Sequence, residues 1–118
     1  MTVLSHPDVE VSHYTYRVTW SAEDQEHVAT CVELPSLSWL AASPAEALLG
    51  LQELVADVLE DMAASGERAP EPLSTRTYSG KFNLRVGEDL HRRLAMEAAE
   101  QGVSLNQLIL GRLQSHAA

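Results

Sequence analysis

Apolar and polar residues alternate through the first part of the chain. Tyr14, Tyr16, Val18 and Trp20 are separated by Thr15, Arg17 and Thr19, the period-2 pattern of a strand with one buried face. That pattern predicts Trp20 as a core residue beside Tyr16 and Val18. The run SAEDQE makes a polar turn, and alternation resumes over residues 28–34. There Val28, Thr30, Val32 and Leu34 fall on one side, and Ala29, Cys31 and Glu33 on the other. A hairpin follows, with a weaker third strand over residues 37–41.

The period then changes. Ser43-Pro44-Ala45-Glu46 combines an N-cap serine, proline at the first helical position and a glutamate three residues after the cap. Together these satisfy free N–H groups and oppose the helix dipole. Leu48, Leu51, Val55, Val58/Leu59 and Met62 form an apolar stripe at helical spacing, while Glu46, Glu53, Asp57, Glu60 and Asp61 keep the other faces wet. Gly66 is placed to end the helix. The stretch SGERAPEPLSTRTYSG has prolines, glycines and hydroxyl residues without periodicity, and reads as a linker or extended connection. Residues 1–65 and 79–118 are therefore assigned to two domains joined by a linker over 66–78.

In the second domain Lys81, Asn83 and Arg85 alternate with Phe82, Leu84 and Val86, a strand over residues 80–86. Leu90, Leu94 and Ala98 then mark a helix closed by Gly102. Ser104 caps another, with Leu105, Leu108, Ile109 and Arg112/Leu113 at the same spacing.

Charge divides the chain at the same place. The formal net charge is -9, yet residues 1–79 contain 3 Lys+Arg against 13 Asp+Glu, and residues 80–118 contain 5 against 4. Such asymmetry suggests modules with different partners. The single cysteine, Cys31, has no intrachain partner for a disulfide, which fits a reducing, cytoplasmic setting. No apolar run is long enough for a membrane span, and the N-terminus lacks a signal-peptide pattern.

Strand, helix, helix is too little to build a core alone, and a lone strand leaves both backbone edges unpaired. A second copy resolves both problems. Two chains would form an antiparallel ribbon on four helices, with Phe82, Leu84, Val86, Leu94, Ile109 and Leu113 as the dimer core. Lys81, Asn83 and Arg85 would then face outward. A two-stranded ribbon fits the DNA major groove, where Arg or Lys donates to guanine and Asn pairs bidentately with adenine. The free amides at Ser104, Leu105 and Asn106 suit a DNA phosphate.

The segment KFNLRVGEDLHRRLAMEAAEQGVSLNQLILGRL resembles a ribbon-helix-helix domain of the Arc and MetJ type. Together with YTYRVTWSAEDQEHVATCVELPSLSWLAASPAEALLGLQELVADVLEDM before it, the chain resembles the HicB family of antitoxins. That resemblance implies an α+β architecture: a small antiparallel sheet with a packed helix, of degraded RNase H-like type, followed by the dimeric DNA-binding domain. It further implies binding and neutralisation of a HicA-type toxin, an mRNA-cleaving ribonuclease, and repression of the protein's own operon. The matching positions in the first half are Leu34-Pro35 with Leu37, and Ser43, Glu46 and Ala47. PSLSWLAAS departs from the family pattern, with Ser36 and Trp39 where glycines are common.

No catalytic constellation accompanies these motifs. A two-metal nuclease needs converging carboxylates, beginning with one on the first strand, and residues 14–20 contain none. Glu23, Asp24 and Glu26 read as a solvated hairpin tip. His6, His13, His27, His91 and His116 lack metal-ligand spacing, and Cys31 reads as strand packing. No cofactor or metal is expected, and no enzyme activity. Trp39, on a short irregular stretch, is a candidate partner contact. The expected partners are a HicA-type toxin, operator DNA and a second copy of the chain, with association into a dimer of dimers left open. The alternative is a stand-alone ribbon-helix-helix regulator whose first domain binds another protein or oligomerises.

Overall fold

The computed structural model describes residues 10–117; residues 1–9, with His6, and residue 118 lie outside the description. The architecture is α+β. A 3-10 turn at Val11–His13 leads into strands β1 (Tyr16–Ser21), β2 (Glu26–Cys31) and β3 (Ser38–Ala41), followed by helices α1 (Pro44–Ala64), α2 (Glu88–Gln101) and α3 (Leu105–His116). The chain divides into two compact units at Tyr78/Ser79.

In the first unit the strands form one antiparallel sheet in the order β1-β2-β3. Val18, Ala29 and Trp39 stand opposite one another across it, as do Tyr16 and Cys31, so these residues share a face. Ala47, Leu51, Val55 and Leu59 of α1 cover that face and are buried together with Tyr14, Ala29 and Cys31. Small side chains at Ala29 and Cys31 leave room for the helix. The bulkier Val28, Val32 and Leu40 consequently fall on the open side of the sheet, where Val32 and Leu40 are exposed.

Local signals at α1 act as the sequence suggests. Ser43 Oγ accepts from Glu46 N–H and donates to the Glu46 carboxylate. Beyond Ala64, Gly66 adopts a left-handed φ of 77°, a conformation that glycine enters without steric cost. There Glu67 N–H returns to the Met62 carbonyl.

Trp20 departs from expectation. It is 54% exposed, because it sits next to the hairpin turn, outside the cluster under α1, where it meets the His27 ring edge to face with centroids 5.0 Å apart. The connection after α1 is also more ordered than a linker. Ala69 packs against the core, Pro72 is buried, the Tyr14 hydroxyl donates to Pro70 O at 2.7 Å, and Ser74 Oγ donates to His13 O at 2.6 Å.

In the second unit α2 ends at Gly102, left-handed at φ 71°, where Val103 N–H reaches the Ala98 carbonyl. α3 begins with a complete capping box: Ser104 Oγ accepts from Gln107 N–H, and the Gln107 side chain accepts from Ser104 N–H. Arg112 of α3 pairs with Glu97 of α2. Only Ala98 and Leu108 are buried here among the described residues. No strand forms over residues 80–86 in the single chain. A strand is completed by a neighbour's backbone, and one copy of this unit supplies none.

Candidate functional site

Residues 82–87 run along a groove of about 850 Å³ whose other walls come from α2 and α3. Phe82, Leu84 and Val86 line it with Leu94, Ile109 and Leu113, so the six residues expected to form a dimer core are brought to one concavity. In the single chain they are uncovered: Phe82 is 78% exposed and Leu84 63%. Asn83 and Arg85 line the same groove. The separation of a reading face from a packing face is therefore not present within one copy, since nothing fixes both sides of the segment. Lys81 is exposed beside the groove, with its backbone N–H held by Ser79 Oγ.

Leu105 and Asn106 reach the groove from the start of α3. The capping box occupies the N–H groups of Ser104 and Gln107, and the first backbone bond of the helix begins at Leu108 N–H. Among the described residues, the amides of Leu105 and Asn106 are thus the pair left for an external acceptor. Ser104 serves as the cap that leaves them free. Glu88 and His91 also line the groove; their spacing from Leu94 on one helix face was the signal for them in the sequence.

In the first unit, Trp39 is 43% exposed and lies against Gly50 of α1, where any β-carbon would overlap the indole. A glycine in mid-helix, flanked by leucines, was the sequence mark of this close approach. Glu33 is a second residue that the pattern did not single out. Its carboxylate accepts from Thr15 N–H at 2.9 Å, from Thr15 Oγ1 at 3.0 Å and from Leu73 N–H at 2.9 Å, clamping the connection to the start of β1. Burial by itself would raise this carboxyl, but the hydrogen bonds from Leu73 and Thr15 outweigh it and hold the group below its ordinary value. Burial raises the Cys31 thiol, which keeps it protonated and suits the packing role expected of it. Burial, with the neighbouring Cys31 and Glu33, pushes the Tyr14 phenol up to about 12.

Among the described residues, no group of three or more His, Cys, Asp or Glu side chains is placed to hold a metal ion, and no helix is long and apolar enough to cross a membrane.

The second unit thus carries an uncovered apolar groove beside the free amides at the start of α3. Residues 64–113 match the family model described as the HicB family. The matched segment is less than half of the chain, and over it the chain is similar to that family. The match takes in the connection, α2 and most of α3, and the three-stranded sheet lies outside it. No curated protein and no solved structure has significant similarity to the chain.

Proposed function

We propose that this chain is a non-enzymatic cytoplasmic antitoxin. In this reading its first unit, of degraded RNase H-like type, binds and neutralises a HicA-type ribonuclease. Its second unit is a ribbon-helix-helix domain that dimerises and binds operator DNA to repress the operon. The observation that carries the second role is the groove: three apolar residues at alternate positions, Phe82, Leu84 and Val86, lie uncovered in front of a helix pair that has almost no interior of its own. A second copy would pair the two segments as a ribbon, satisfy their backbones and cover those side chains. The intervening Lys81, Asn83 and Arg85 would then face the major groove, with the Leu105 and Asn106 amides at flanking phosphates.

The first role rests on the HicB match together with the acidity of residues 1–79, which would draw a cationic ribonuclease and speed encounter. Co-expression of the chain with the products of its flanking genes, followed by purification and a promoter-binding titration, tests both roles. A co-purifying basic ribonuclease and a promoter-specific complex are expected. If the folded chain retains none of the flanking products, the antitoxin role is refuted, and a promoter-specific complex alone would favour the stand-alone regulator.

A further inference from the structure

The flank of α1 that carries Trp39 has a chemistry of its own. α1 contains Glu46, Glu53, Asp57, Glu60 and Asp61 and no Lys or Arg, and all five carboxylates are exposed. Trp39 reaches this helix from β3 and lies on Gly50. On a helix, the side chains one turn either side of position 50 are Glu46 and Glu53, with Asp57 a further turn on. An indole with much of its surface open to solvent is therefore set on a helix flank between carboxylates. Among the described residues, no hydrogen bond restrains its N–H.

We infer that this flank, with Trp39 between Glu46 and Glu53, is a docking surface for an Arg- or Lys-bearing face of a cationic protein partner. The inference rests on the proposed partner-binding role of the first unit and says where that partner sits. A cation over an indole face is attracted by the ring's quadrupole, and Trp is the most effective ring for this. Carboxylates beside the ring complete a site in which a guanidinium can stack and pair at once. A second copy of the same unit is a poor occupant, since it would bring the same row of carboxylates against this one, from a segment with 13 acidic and 3 basic residues. Phosphates are disfavoured for the same reason.

The test uses the full chain carrying Trp20→Phe, which leaves Trp39 as the sole indole of the two. Its emission is followed during titration with a short peptide alternating Gly and Arg, and with a counterpart alternating Gly and Glu. The Arg peptide should change the emission and the Glu peptide should not. Glu46→Gln with Glu53→Gln should weaken the Arg peptide about tenfold, the scale of two exposed charge pairs. The glutamine at 46 can still accept from Ser43. Glu23→Gln with Asp24→Asn, at the hairpin turn, removes the same charge and should have a far smaller effect. Equal weakening by the two pairs, or no emission change with the Arg peptide, overturns the inference. The antitoxin reading is judged separately by co-expression. Full retention of the toxin by the Glu46→Gln, Glu53→Gln chain refutes this surface and leaves that reading intact. If no flanking product is captured by the unaltered chain, that reading fails while the peptide titration still decides the surface.

Discussion

Leu84→Ala measures directly how much the proposed pairing depends on the groove. Leu84 is 63% exposed in one copy, so nearly two thirds of its side chain remains to be covered. Complete burial of a leucine side chain is worth about 1.5–3 kcal/mol, which leaves roughly 1–2 kcal/mol per chain for association. A two-fold dimer buries the residue twice, so truncation should cost about 2–4 kcal/mol, or roughly 30- to 700-fold in the dimer dissociation constant. Most of this lies in association, because the residue contributes little to the single chain. The assay is sedimentation equilibrium across a dilution series, with Leu49→Ala as control. Leu49 is as exposed, at 60%, but sits on α1 outside the groove, and its truncation should leave the dimer unchanged. A dissociation constant within about threefold of the unaltered chain for Leu84→Ala, far below the roughly 30-fold lower bound of the burial estimate, would refute the ribbon arrangement.

Arg85→Ala and Asn83→Ala should each reduce affinity for the protein's own promoter by about 1–3 kcal/mol per site, and far less for a scrambled duplex at the same salt; equal losses on both duplexes would make the segment a cationic rail without base recognition. Glu33→Gln should lower the stability of the first unit at neutral pH. Because the folded Glu33 carboxyl lies below its ordinary value of 4.5, its contribution is present above that pH and is lost as pH falls through the folded value, so the gap between the two proteins in denaturant titrations should narrow on acidification. A gap that widens in acid would contradict the clamp at Leu73 and Thr15. Gly50→Ala gains about 1 kcal/mol of helix propensity but must displace the Trp39 indole, so Trp39 emission in a Trp20→Phe background should shift to the red; an unshifted spectrum would show that the ring does not rest on that glycine.

Elements with strong local signals were legible in the sequence. Ser43-Pro44 and Gly66 delimit α1 because capping and left-handed backbone are local requirements, and the same holds at Gly102 and Ser104. Packing was less legible. Alternation from Tyr14 to Trp20 correctly marks a strand face, but it cannot show where the covering helix stops, and Trp20 lies past that cover. On β2 the buried side is that of Ala29 and Cys31, chosen by how closely α1 approaches and not by side-chain hydrophobicity. The stretch 66–78 has the composition of a linker, yet Glu33 and Tyr14, more than 30 residues away in sequence, hold it in place. Composition carries no trace of such distant partners. At the groove, helical spacing brings Leu94, Ile109 and Leu113 to the same concavity as Phe82, Leu84 and Val86. The orientation of Lys81, Asn83 and Arg85 depends on a second chain and is absent from one.

The scarcity of interior in the second unit gives quantity a regulatory meaning. With Ala98 and Leu108 as its buried residues among those described, that unit would owe its stability in the proposed dimer to the concentration of its own kind. Below the dissociation constant, halving the amount of chain lowers the amount of dimer about fourfold. In the proposed repressor role, operator occupancy would then fall more steeply than the amount of chain as the pool is depleted. Synthesis would resume before the supply of first units had declined in the same proportion. The shallow interior would thus act as a gauge of abundance, read by folding and association together.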